Sequence, residues 1–196
     1  MSDLFDTVGY PRTCNFEGTY SNDPTDTGGE TWKGVARNKH PHWKGWDLVD
    51  SLKSDPSFPA CLSQSVGLEQ AVQDFYREEF WEKMGCPNMP PALALDIFDC
   101  GINCGTGTAI KMLQRVLNVM NKCQALYADT AADGQWGAGT QAAMLGYFAT
   151  RKDLDELLVA FNCLRGSYYV ECAEKREANE KYEFGWFKQR IALHPI

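Results

Sequence analysis

The sequence predicts a mainly α-helical fold with at most one small β element, confined to residues 18–34. Three observations carry that expectation. Apolar residues recur at helical spacing, most clearly Leu68, Ala71, Val72, Phe75, Tyr76 and Phe80. Glycine and proline clusters at 85–91, 101–105 and 130–139 cut the periodic stretches into separate helices. Residues 18–34 hold Gly18, Pro24, Gly28, Gly29 and Gly34 among Asn22, Asp23 and Asp26, which is turn chemistry with room for an irregular hairpin ending at Thr31-Trp32.

Taken in order, residues 2–9 suit a short helical turn. Pro11 disfavours helix at Tyr10 and suits the start of a new one, running to Glu17 and closed by Gly18. Val35 to Lys39 reads as a helical turn, Trp46 to Leu52 as a short helix, and 67–84 as an amphipathic helix stopped by Gly85-Cys-Pro-Asn-Met-Pro-Pro91. Ala92–Cys100 and Thr106–Asn121 follow, interrupted by Gly101 and Gly105, with Ala109, Leu113, Val116, Leu117 and Met120 striping the second. Thr140–Ala149 is helical. Thr150-x-x-Asp153 has capping-box form for a helix carrying Leu154, Leu157, Leu158, Phe161 and Leu164, and the charged 171–182 run reads as its solvated continuation.

The 196 residues suffice for one large domain or two small packed ones. The net charge of −7, from 19 basic and 26 acidic residues, argues against a nucleic-acid partner, whose phosphates need clustered Lys and Arg. No apolar run approaches a membrane span, so no stable membrane insertion is expected. The start Met1-Ser-Asp-Leu-Phe-Asp lacks a basic, apolar leader, so synthesis in a cytoplasm is expected, with another route to any outside target. Eight cysteines include Cys100 and Cys104 but no C-x-x-C pair, and with His40-x-His42 the only histidine cluster, no metal site or cofactor is expected.

Chemistry concentrates at Glu17, Asp26 and Thr31. Two carboxylates near a Gly-rich turn suit glycoside hydrolysis, in which one stays protonated to donate to the leaving oxygen while the other stays ionised. A Glu ending an apolar helix is partly desolvated, which favours the acid role. Asp26 in a polar turn stays ionised, and Thr31 can hold a water. Read alone, Glu17 also suits a plain helix end and Asp26 a plain turn former. Tyr20 and Trp32 are candidates for stacking on a sugar, with core packing as the alternative, while Trp43 and Trp46 read as packing. Asn103 suits either an acetamido contact or a helix cap.

The run Glu17-Gly-Thr-Tyr-Ser-Asn-Asp-Pro-Thr-Asp-Thr-Gly-Gly-Glu-Thr-Trp-Lys-Gly34 resembles the signature of glycoside hydrolase family 108, the phage and bacterial N-acetylmuramidases. Tyr76, Phe80 and Trp81 fit the aromatic run that closes that family's catalytic half. Phe98-Asp-Cys-Gly-Ile-Asn-Cys-Gly105, Leu113-Gln-Arg115, Asp133-Gly-Gln-Trp-Gly-Ala-Gly-Thr140, Arg165 with Tyr168 and Tyr169, and Gly185-Trp186 with Arg190 resemble its companion helical region. The resemblance implies a lysozyme-like α domain with a small β-hairpin wing (1–90), packed with a C-terminal helical peptidoglycan-associated region (91–196). It implies Glu17 as general acid, Asp26 as second carboxylate and Thr31 as water positioner; Tyr20, Asn22, Trp32 and Asn103 are the expected substrate-binding residues. The expected activity is cleavage of the β-1,4 bond between N-acetylmuramic acid and N-acetylglucosamine by a monomer of endolysin type, released to the wall through a holin lesion or a dedicated pathway. The alternatives are a non-catalytic peptidoglycan-binding module, a lytic transglycosylase and a chitinase. Three positions depart from the family pattern: Thr19 for a second Gly, Ala36 for a small hydroxyl residue, and Pro11 in the presenting helix.

Overall fold

The computed structural model describes residues 3–13, 20–23 and 28–191. Its contacts divide the chain into two compact units, Met1–Trp81 and Glu82–Ile196. Among the described residues no helix is long and apolar enough to cross a membrane.

In the first unit a π-turn at Phe5–Gly9 runs directly into helix α1, Tyr10–Thr13. Tyr10 is therefore helical, against expectation. Its N–H reaches the Phe5 carbonyl five residues back, and this wider turn takes the carbonyls out of the register in which the Pro11 ring would clash. The rest of the expected 11–17 helix, with Glu17 at its end, lies outside the described residues, as do Thr19 and Asp26. The segment docks through Phe5, which is fully buried, packs on Trp81 and sits under the Arg77 guanidinium. Arg77 also pairs with Asp3 and Asp6.

The β wing is a three-stranded antiparallel sheet of β1 (Tyr20–Ser21), β2 (Thr31–Trp32) and β3 (Val35–Ala36). Lys33 and Gly34 both have positive φ, +42° and +80°, so they close a two-residue hairpin that sets Trp32 opposite Val35 and Thr31 opposite Ala36. Residues 35–36 are thus a strand rather than the start of a helical turn; the turn occupies only the residues after them. Two buried residues paired to Thr31-Trp32 outweigh the weak local preference of a five-residue run.

Helix α2 (Gly45–Leu52) packs its Trp46 and Val49 against α3 (Val66–Tyr76), which contributes Leu68, Val72 and Phe75. Ser65 caps α3 by accepting from the Leu68 N–H at 3.3 Å. The helix then widens into a π-turn, Arg77–Glu82, and the turn after it closes at Gly85, whose φ is +71° and whose Cα lies against the Trp136 indole too closely for any side chain.

Among the described residues the second unit is built from five α-helices and the loop 120–137: α4 (Pro91–Cys104), α5 (Thr106–Val119), α6 (Ala138–Thr150), α7 (Leu154–Glu174) and α8 (Glu180–Arg190). Helices α4, α5 and α7 pack around Leu93, Ile97, Phe98, Leu113, Leu117, Leu157 and Phe161. Gly101 does not interrupt α4; it lets Met84 lie against the helix, where a Cβ would meet the Met84 sulfur at 2.5 Å. The break falls at Gly105 (φ +89°). The cap of α7 is Asp153, which accepts from the Glu156 N–H at 3.2 Å, whereas Thr150 turns its hydroxyl back to the Gly146 carbonyl at 2.7 Å. The charged run expected to continue α7 instead bends at Glu177–Asn179 and starts α8.

The Asp133-Gly-Gln-Trp loop is shaped by Gln114, which is buried on α5. The two N–H bonds of its amide are shared among Asp133 Oδ1 (2.9 Å), Gln135 O (3.0 Å) and Thr140 Oγ1 (2.9 Å), and its oxygen accepts from the Gly134 N–H (2.8 Å). All the polar atoms of this buried side chain are thereby satisfied, which is why a Gln is tolerated on an otherwise apolar face.

Candidate functional site

The wing is held rigid by an ion cluster that the sequence did not announce. Glu30, at the entry to β2, is 8% exposed. Its carboxylate accepts from the Tyr20 hydroxyl (2.7 Å), lies 2.8 Å from Arg37 Nε and is bonded by Lys53 Nζ (2.9 Å). Arg37 in turn grips Asp50 with two bonds of 3.0 and 2.8 Å, and Lys53 reaches the same carboxylate at 2.7 Å. The guanidinium lies 4.4 Å over the Trp46 ring, and Tyr20 packs edge-on against Phe58. One buried carboxylate thus ties β1, the end of β3 and α2 together. In a polar, turn-rich run Glu30 looks solvated. Its burial depends on Arg37 and Lys53, which come from outside the run.

The electrostatics follow from these contacts. Hydrogen bonds from Arg37 and then Lys53 hold the Asp50 carboxyl well below its usual range, at about 2. Burial, followed by the bond to Glu30, pushes the Tyr20 phenol up. The bond to Asp50 raises Lys53 against the opposing effect of burial. Because the folded pKa of Asp50 is depressed, its stabilising contribution is fully present above about pH 4 and is lost as pH falls through about 2. Asp50 is half exposed, so screening limits this contribution to about 1 kcal/mol. Acid titration of Asp50→Asn beside the parent is expected to show stability curves offset by that amount at neutral pH and converging near pH 2. Curves that remain parallel would disprove the assignment.

Thr31 occupies the middle strand. Its hydroxyl donates to the Gly29 carbonyl at 3.0 Å, so the oxygen's lone pairs remain as acceptors. Gly29 needs its positive φ of +64°, and a Cβ there would meet the Asn38 side chain at 2.7 Å. The hairpin tip is fixed to α3 by the Tyr76 hydroxyl donating to the Lys33 carbonyl (3.1 Å) and by the Lys33–Glu69 ion pair.

The wing brings Tyr20, Thr31 and Trp32 into one sheet, and Asn22 follows β1 as an exposed residue. Trp32 is 1% exposed, so its ring faces are covered and it packs the sheet instead of presenting a platform to a sugar. Its size and its place opposite Val35, both buried, make it core. Glu17 and Asp26 lie outside the described residues. Asn103 belongs to the second unit, near the end of α4, where its amide donates to the Asp99 carbonyl at 2.6 Å; it is not the cap of a broken helix. In the first unit a groove of about 360 Å³ runs between the 39–44 loop and α3, lined by His40, His42, Trp43, Asp74 and Phe75. Trp43 is anchored there by donating its indole N–H to the Ala71 carbonyl at 3.2 Å.

Comparison with known proteins gives two family matches. The family described as Glycosyl hydrolase 108 matches residues 10–105, and the one described as Predicted Peptidoglycan domain matches residues 108–191. The solved structure of SagA from Brucella abortus is similar, with a TM-score of 0.56 and 22% identity, over 92% of this chain and 86% of that one. At that identity the likeness is one of fold. No curated protein matches the chain.

Proposed function

The chain carries a glycosyl hydrolase 108 domain over residues 10–105, fused to a predicted peptidoglycan domain over residues 108–191, and on that premise we propose that it is an N-acetylmuramidase of endolysin type. In this reading it cuts the β-1,4 bond between N-acetylmuramic acid and N-acetylglucosamine in bacterial cell walls. Glu17 gives its proton to the glycosidic oxygen as the bond breaks and positive charge develops on the sugar ring. Asp26 takes one proton of a water on the opposite face, and Thr31 accepts a hydrogen bond from the other. The oxygen of that water attacks the anomeric carbon, and the configuration inverts. Made in the cytoplasm, the enzyme would reach the wall through a lesion or a dedicated exit.

The observation that supports this reading most directly is the state of Thr31. Its own proton is committed to Gly29, so it can meet a water only as acceptor. That is the role a residue needs if it is to orient water without competing for the water's lone pair. The Glu30 cluster keeps the strand that carries it in place.

Product analysis tests the proposal. Purified sacculi are digested and the new reducing ends converted to alditols with borohydride. Muramic acid alditols are expected. Glucosamine alditols would make the enzyme a glucosaminidase, and 1,6-anhydro ends a lytic transglycosylase that needs no water at Thr31. Sacculi that bind the protein but release nothing would reduce it to a binding module.

A further inference from the structure

The second unit carries a cavity of about 280 Å³, which holds Asn103 but none of the other residues expected to bind substrate or act on it. Asn103 from the end of α4, Tyr168 and Tyr169 from α7, Asn179 from the following bend and Trp186 from α8 line it, together with two thiols. No Asp, Glu, Lys, Arg or His side chain is among the described residues of its wall. The nearby cation is already committed: Arg165 Nε donates to the Tyr169 hydroxyl at 2.8 Å, and the rest of its guanidinium holds Asp99 and the Arg190 carbonyl. A phosphate or carboxylate therefore finds no counter-charge on this wall.

What the cavity offers is neutral. The Asn103 amide is oriented by donating to the Asp99 carbonyl at 2.6 Å, and the Asn179 amide by donating to the Cys172 carbonyl at 2.9 Å. Each leaves its Oδ1 as an acceptor, which suits the N–H of an acetamido group. Tyr168, Tyr169 and Trp186 give the wall an aromatic lining, with Trp186 braced by Tyr169 at 5.3 Å and by Tyr182 at 6.4 Å, and such a lining suits the C–H face of a pyranose. Both amides are pinned to helix carbonyls, which lowers the entropy lost on binding.

We propose that this cavity binds one uncharged N-acetylated hexosamine of a glycan strand, of the N-acetylglucosamine type, and excludes a residue bearing a free carboxylate. The inference rests on the peptidoglycan reading only for the source of the strand. It would let the second unit hold the polymer on a residue the first unit does not cut at.

The test uses the full chain as Glu17→Gln, labelled with ¹⁵N, so that no turnover occurs. The Trp186 indole resonance is assigned by its loss in Trp186→Phe. Titration with an N-acetylglucosamine trimer is expected to shift that resonance saturably. A glucose trimer, which lacks the acetamido groups, is expected to shift it at least tenfold more weakly. Asn179→Ala is expected to weaken binding about tenfold, the value of one hydrogen bond. If that variant does not fold, the parent titrations still decide. A Trp186 resonance unmoved by the acetylated trimer, or moved equally by both trimers, overturns the proposal. Neither outcome depends on hydrolysis, which is read separately from the products of the native chain.

Discussion

Glu17→Gln is expected to reduce release of soluble muropeptides by about 10²- to 10⁴-fold, the range for loss of a general acid, while leaving the melting temperature and sacculus binding unchanged. Glutamine matches glutamate in size but has no proton to give, so the leaving sugar oxygen would depart as an alkoxide. Glu30 cannot substitute, because it is enclosed and its oxygens are taken by Tyr20, Arg37 and Lys53. Glu30→Gln should therefore act differently, loosening the sheet and lowering thermal stability in step with activity. Muropeptide release and circular dichroism on both variants separate these effects. Undiminished release from Glu17→Gln would remove it from the mechanism.

Much of this architecture is legible in the sequence because it is local. The stripe from Leu68 to Phe80 gives α3 and its π extension, and the turn formers of 18–34 give a small wing. What escapes is set by pairing and burial that the local pattern does not display. Val35-Ala36 is too short to show alternation and becomes a strand only because Lys33-Gly34 folds it back on Thr31-Trp32. Trp32 reads equally as platform or core until its burial is known. Arg165 did leave a signal. It falls at the spacing of Leu158, Phe161 and Tyr169, on the face that α7 buries, so a cation on that stripe must have a partner within the core.

That partner is Asp99, and removing it is expected to produce the largest loss of stability in the second unit. Arg165 is 0% exposed. Burial works to lower its pKa, but the Asp99 charge beside it overrides this, and the net shift is upward. Asp99 also binds Arg190 through its other oxygen, so one carboxylate faces two guanidinium groups from α7 and α8. In Asp99→Ala the Arg165 charge stays buried among Tyr169, the Arg190 carbonyl and apolar side chains, at an expected cost of about 3–5 kcal/mol. Arg165→Met should cost markedly less, because it removes the charge together with its desolvation penalty and leaves Asp99 its bond to Arg190. Urea unfolding measures both. Amide exchange should show residues 180–190 opening first in Asp99→Ala, because Arg190 loses its bond to α4 as Arg165 loses its counter-charge. Equal losses in the two variants, or protection unchanged across α8, would show that α8 is held by its aromatic contacts alone.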